Sequence, residues 1–293
     1  MTALLELVAA NPFATPDSVE EWRNAVDAQL GGPLVAGTTE EHETLGGCPA
    51  LWIRPDDLAS DAVVLYLHGG AYEVGSSTAY RPFASQVAVL TQATVVVPDY
   101  RRAPEHPFPA AIDDATATYR GLLDRGVAPG RIAVMGDSAG GGLTIATLVA
   151  AHRAQLPQPA AAVALSPWAD LTMTADSYRR CSATDPFLSA ALLGASATSY
   201  LAGGDPKDPL ASPVFAPSSA LVALAPVLIQ AAVGEVLVDD AATMARRIRE
   251  AGGDVTVELW PDMTHVWHLL GSGVPESRDA LDAVAAFIHA HWQ

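Results

Sequence analysis

From residue 62 onward, short uninterrupted apolar runs alternate with longer stretches of helical character, and nothing else in the chain constrains its fold as strongly. The runs occupy residues 62–67, 94–97, 132–135, 160–165, 226–231 and 255–260. Helix-like stretches lie at 81–91, 109–125, 140–154, 239–251 and 276–291. A strand that is apolar on both sides is buried on both faces, and strand–helix alternation builds a parallel sheet covered by helices. The expected class is therefore α/β, with a mostly parallel central sheet flanked by helices. Ligands bind beyond the carboxyl ends of such strands, so the turns that follow the runs are where chemistry is sought.

Two stretches break the alternation. Residues 1–35 precede the sheet and read as helical, and residues 172–215 form a long insertion between strands. A connection of that length has a functional reason. Together the two are expected to form a helical cap over the strand ends, within one domain spanning 1–293. No repeat, low-complexity tract or linker divides the chain, and 293 residues suit one α/β domain carrying an insertion.

Half of the residues are hydrophobic, enough for a large core. Acidic residues outnumber basic ones 33 to 16, and the formal charge of −17 disfavours nucleic acid, anionic membranes and anionic substrates as partners. The same charge also serves solubility. Cys48 and Cys181 have neither metal-like nor redox-like spacing and read as buried free thiols. The N-terminus carries acids early and lacks the basic start and cleavage pattern of a secretory signal. The longest apolar run, 220–234, is broken by Pro226 and is too short to span a membrane. A cytoplasmic protein is the expectation.

The most specific local signal is Gly136-Asp137-Ser138-Ala139-Gly140-Gly141, a G-x-S-x-G sequence between a strand and a helix. A serine at so sharp a turn is lifted above the sheet as a nucleophile. The strain of the turn requires flanks without bulk, which Gly136 and Gly140 provide. The serine also meets the amides of a helix N-terminus, which favour negative charge. An ordinary N-capping serine on a glycine-rich turn is the bland alternative, and the strand–turn–helix setting argues against it.

His68-Gly69-Gly70-Ala71 follows the run at 62–67. Acyl transfer needs backbone amides aimed at the developing oxyanion, with small side chains around them. The expected oxyanion-hole residues are Gly69, Gly70, Ala71 and Ala139. Of these, Gly70, Ala71 and Ala139 are expected to donate, and Gly69 to shape the loop. His68 is expected to hold the loop by hydrogen bonds and not to transfer protons.

A base must come later in the chain, in the order serine, acid, histidine. His265 leaves the run at 255–260 through a short loop and is preferred over His268 on the following turn; His289 and His291 fall on the terminal helix. Imidazole titrates near ~6.5, which suits taking and returning a proton. The orienting acid is expected at the end of the preceding strand. Glu235 comes first there and is preferred. Asp239 stays open as a rival, although Asp239 and Asp240 sit where helix capping explains them.

The chain now resembles the hormone-sensitive lipase family of bacterial esterases, which have the α/β-hydrolase fold. The family motif G-D-S-A-G-G is matched by residues 136–141, and H-G-G-G is approached by residues 68–71. Residues 98–106 (PDYRRAPEH), 166–171 (SPWADL) and 208–213 (DPLASP) are also similar to the family. The resemblance covers roughly residue 50 to the end. It implies a capped α/β-hydrolase that uses no cofactor and acts on short-chain acyl esters, and it is compatible with a homodimer. Its acid lies 30 residues before its histidine, which Glu235 and His265 satisfy. Two departures stand out. Ala71 replaces the third glycine of H-G-G-G, and Glu235 replaces the usual aspartate.

The expected activity is a serine carboxylesterase acting on small uncharged esters, with Ser138, Glu235 and His265 as its catalytic residues. A lactone or amide hydrolase using the same residues is the nearest rival, and a non-catalytic ligand-binding protein on this fold is the other. Trp168, Phe187, Phe215, Trp260 and Trp267 are the candidate walls of an apolar substrate pocket, with Tyr72 and Leu188 weaker; for each, plain core packing is an equal explanation.

Overall fold

The computed structural model describes residues 18–58, 60–271 and 273–293. The start of the segment expected to be helical at 1–35 therefore lies outside the described residues. Its remainder contains α1 (Val19–Leu30), begun by Ser18, whose hydroxyl accepts from the Glu21 amide at 3.2 Å.

All six apolar runs are strands: β3 (Val63–Leu67), β4 (Thr94–Pro98), β5 (Ile132–Asp137), β6 (Ala161–Leu165), β7 (Val227–Ala232) and β8 (Val255–Trp260). The helices that alternate with them are α2 (Arg81–Thr91), α3 (Ala110–Asp124), α4 (Ala139–Arg153), α8 (Val238–Ala251) and α9 (Pro275–His291). One hairpin, β1 (Thr38–Leu45) and β2 (Cys48–Pro55), precedes them and is absent from the sequence reading. β1 reads TTEEHETL and is almost wholly solvent-facing, so it carries no apolar run. The signal that identifies it is its turn: Gly46 and Gly47 both have positive φ, the conformation a two-residue hairpin turn demands.

The sheet runs β1-β2-β4-β3-β5-β6-β7-β8, antiparallel at the first two pairings and parallel at the rest. Strand residues alternate between two cores. Val63, Leu65 and Leu67 join one with Tyr119, Leu143 and Ile248; Val64 and Tyr66 join the other with Phe83, Leu281 and Ile288. α4 buries thirteen of its fifteen residues, which explains why it has no polar face. β3 has β4 on one side and β5 on the other, so the chain leaves these central strands in opposite directions. The crevice at such a switch point is where α/β sheets bind ligands, and both glycine-rich turns open there.

The insertion carries α5 (Ser177–Arg180) and α6 (Ala190–Leu201); α7 (Ser218–Leu221) follows it. It is tied down at the start of α8. Asp240 Oδ2 accepts from the amides of Ala169 and Asp170 (3.0 and 2.9 Å) and from the Tyr178 hydroxyl (3.0 Å). Asp239 accepts from the Ser177 amide at 2.8 Å and from Arg180 at 3.2 Å. Neither carboxylate caps its own helix, contrary to the sequence reading, because the insertion and the residues just before it supply donors that α8 would otherwise offer. α1 rests on other loops of the same end. Arg23 donates to the Glu73 and Ala103 carbonyls at 2.8 and 2.9 Å and pairs with Glu105 at 2.7 Å.

Cys48 and Cys181 are free and buried, as expected, and burial pushes the Cys48 thiol up to about 12. Among the described residues no helix is long and apolar enough to cross a membrane.

Asp240 is buried, and burial holds its carboxyl well above the ordinary range. Asp240→Ala leaves the Ala169 and Asp170 amides without their acceptor and the Tyr178 hydroxyl with the Asp170 carbonyl alone, and should cost about 2 kcal/mol of stability, whereas Asp240→Asn, which keeps one acceptor oxygen, should cost less. Urea unfolding of the two variants measures the difference.

Candidate active site

The turn from β5 into α4 places Ser138 at φ 53°, ψ −121°, a conformation that side-chain-bearing residues rarely adopt. What forces it is the closeness of the chain on either side. A Cβ on Gly140 would stand 2.0 Å from the Leu67 carbonyl oxygen, and one on Gly136 would stand 2.3 Å from that of Gly140. Only glycine fits both positions. The Ser138 amide is held by the Leu165 carbonyl at 2.8 Å, and its carbonyl accepts from the Gly142 and Trp168 amides at 3.1 and 2.8 Å. The hydroxyl is left at the top of the sheet.

His265 arrives there on the loop after β8. Its Nε2 lies 3.0 Å from Ser138 Oγ, and its Nδ1 lies 2.8 Å from Glu235 Oε2, on the turn after β7. The carboxylate can only accept, so Nδ1 carries the proton and Nε2 offers its lone pair to the serine. Glu235 also accepts from the Ala232 amide at 3.2 Å. All three side chains are buried. Burial acts to lower the proton affinity of His265, but its hydrogen bond to Glu235 and the Glu235 charge, with Asp185 and Asp137 behind them, outweigh burial and leave it above the ordinary value.

The rivals lie elsewhere. Asp239 faces the insertion. His268 Nε2 bonds Gln230 Oε1 at 2.9 Å, and burial drives the imidazole down to about 3, so it is neutral. His289 and His291 bond the carbonyls of Thr91 and Phe287.

On the loop after β3, the amides of Gly70 and Ala71, like that of Ala139, donate to no protein acceptor among the described residues. The Gly69 amide is engaged: it donates to Asp137 Oδ1 at 2.9 Å. Ala71 stands at φ 54°, where the glycine of H-G-G-G would be free of strain. His68 is fully buried and bonds the Gly69 carbonyl through Nδ1 at 2.8 Å, and its ring stacks on Tyr100 at 4.2 Å. Burial lowers it to about 4, which keeps it neutral.

Of the expected pocket walls, Trp168 is fully buried directly behind Ser138, with Tyr72 beside it at 6.1 Å between rings. Tyr72 in turn stacks on Tyr200 of α6 at 3.8 Å, joining the loop to the insertion. Phe187, Leu188 and Phe215 are half-buried within the insertion. Trp260 and Trp267 form a pair 5.7 Å apart; Trp267 packs with Ala232, Met263 and Ala280 and donates to the Glu276 carbonyl on α9. The left-handed turn at Val266, φ 49°, sends the Trp267 ring to the α9 side while His265 reaches the serine. Neither tryptophan lines the cavity of about 340 Å³ that borders His265 and Glu235.

A family model described as alpha/beta hydrolase fold matches residues 64–269. An acetyl-hydrolase of Streptomyces hygroscopicus is 45% identical over 284 residues, 97% of this chain and 94% of that protein. A crystal structure of an esterase from the bacterial hormone-sensitive lipase family superposes with a TM-score of 0.95 at 37% identity, covering 100% and 98% of the two chains. The chain belongs to the alpha/beta hydrolases, in the hormone-sensitive lipase family. An ethyl acetate hydrolase of Pseudomonas putida is also similar in sequence, 32% identical over 87% of this chain and 81% of that protein.

Two residues of this hydrolase escaped the sequence reading. Asp137, buried beside Ser138, accepts from Tyr66 (2.7 Å), Tyr80 (2.9 Å) and the Gly69 amide, and so fastens the loop after β3 to the Ser138 turn. Burial pushes its carboxyl up against the pull of those three bonds. Ser166, at φ 46°, accepts from the Val266 amide at 3.3 Å, and its side chain acts to lower the Glu235 pKa against burial, which places it between the loops of Glu235 and His265. An aspartate inside G-D-S-A-G and a serine before a proline gave no sign of their partners, which are 68 and 100 residues away in the chain.

A methyl group on Gly69 would stand 2.2 Å from Asp137 Oδ2 and 2.9 Å from the Tyr80 hydroxyl. Gly69→Ala should therefore push the loop off its anchor and lower stability by about 1–3 kcal/mol. A thermal unfolding series checks this.

Proposed function

We propose that this hydrolase is a serine carboxylesterase that cleaves short-chain, uncharged carboxylic esters through an acyl-enzyme intermediate. The observation that carries the reading is the continuous hydrogen-bonded line from Ser138 Oγ through the His265 ring to Glu235. Carboxylic ester hydrolysis as the general activity accords with relatives named acetyl-hydrolase and ethyl acetate hydrolase. Those names also favour a small acyl group, and the charge of −17 disfavours anionic esters.

His265 Nε2 takes the Ser138 proton as Oγ attacks the ester carbonyl carbon. The amides of Gly70, Ala71 and Ala139 receive the oxyanion. The tetrahedral adduct collapses, the alcohol leaves with the proton from His265, and an acyl group remains on Ser138. Water then attacks the acyl carbon, giving its proton to the same nitrogen, and the acid departs as Oγ recovers a proton. Glu235 fixes the tautomer and stabilises the imidazolium. Residues 18–35 and 172–215 act as the cap over this centre. A lactone shares every step, so esters, lactones and anilides are to be assayed in parallel. A purely ligand-binding protein has no use for a serine, an imidazole and a carboxylate in register.

Ser138→Ala should abolish p-nitrophenyl acetate turnover and labelling by a fluorophosphonate while the protein stays folded; retained turnover refutes the assignment. The reaction needs neutral His265, so kcat/KM should fall as pH drops through a pKa above the ordinary imidazole value. Glu235→Gln removes the main interaction raising that pKa. Its acid limb should move to lower pH, and kcat should fall on the order of 10⁴-fold, the loss seen when a serine protease triad loses its carboxylate charge. A pH–rate profile of the two proteins decides it.

A further inference from the structure

Asp185 stands in the insertion between α5 and α6 and is half-buried. Its two oxygens serve different parts of the molecule. Oδ1 accepts from the amides of Phe187 and Leu188 at 2.9 and 3.0 Å, closing a turn within the insertion. Oδ2 accepts from the Val236 amide at 2.9 Å, and Val236 directly follows Glu235. With Thr184 and Pro186, Asp185 also forms the insertion's wall of the cavity that Glu235 and His265 border.

We propose that Asp185 is a positioning residue that makes the seated insertion part of the support for the base, by holding the Glu235 turn and placing a second negative charge behind His265. The proposal rests on the catalytic reading of Ser138, Glu235 and His265. The local turn explains only one of the two oxygens, since a serine or asparagine closes such a turn as well. The other oxygen reaches across 51 residues to the acid's own loop. A carboxylate there favours the imidazolium formed as Ser138 attacks, so a displaced insertion would weaken both the placement of Glu235 and the stabilisation of charge on His265.

The charged groups around His265 fit this division. Glu235 contributes most from the turn after β7, Asp185 follows from the insertion, and Asp137 contributes from the end of β5; all three raise its proton affinity. Asp262 borders the same cavity from the histidine's own loop. His268, on the next turn, is held neutral by burial and adds no charge.

Two variants test the proposal, each normalised to active sites counted by fluorophosphonate labelling. Asp185→Ser keeps an oxygen for the local turn and loses both the charge and the reach to Val236. Asp185→Asn loses the charge and one of the acceptor oxygens. In both, kcat for p-nitrophenyl acetate should fall about tenfold per labelled site, the loss of one charge-assisted contact at the transition state. KM should change little, and the acid limb of kcat/KM should move to lower pH. A role confined to folding would lower the number of labelled sites and leave the limb where it is. Wild-type turnover per site with an unmoved limb in either variant overturns the proposal. The underlying reading fails on a different result, retained activity in Ser138→Ala.

Discussion

The approach of Gly140 to the carbonyls of Leu67 and His68 is the contact on which the rest of the molecule depends. It brings the start of α4 against the end of β3 at the point where the strand order diverges. With no side chain at Gly136 or Gly140, backbone meets backbone, and the residue between them is driven to positive φ. That cost is met by packing: α4 is buried almost throughout, and β5 lies in the middle of a parallel sheet. The strained serine persists because the structure on both sides leaves the turn no other path.

Around this turn, buried polar groups fix loops that would otherwise be free. Asp137 ties the Gly69 amide and two tyrosine hydroxyls together, and among the described residues the next two amides, Gly70 and Ala71, have no protein acceptor. Buried Ser166 and half-buried Asp185 act on the opposite side, at the loops that carry His265 and Glu235. Each of these groups accepts at least one hydrogen bond from a different element. Buried polar groups of this kind are worth most when fully partnered, because the low local dielectric penalises each one left alone. At the start of α8, Asp239 and Asp240 Oδ2 seat the insertion by accepting from its donors and from the amides just before it.

Much of this was legible in the chain. Strands buried on both faces, such as Val63–Leu67, announce themselves as apolar runs, and Ser138, His265 and Glu235 are each found by position relative to such a run. The hairpin β1–β2 was not legible by that rule, because an exposed edge strand needs no apolar side chains; its Gly46-Gly47 turn was the available sign. The aromatic residues were the least legible. Trp168, Trp260 and Trp267 are alike in sequence character, yet one lies behind the serine and two pack toward α9.

Local chemistry is what sequence alone determined: which turns had to be glycine and which strands are buried. Those properties depend on residues a few positions apart, where steric and hydrophobic rules act directly. Tertiary structure decided the partners. That Asp137 would bond Gly69, that Asp239 and Asp240 would hold the insertion and not cap their helix, and that Asp185 would reach Val236 are matters of which donors arrive from distant parts of the chain. A carboxylate's local sequence fixes its capacity to accept hydrogen bonds, and only the packed fold selects the donors.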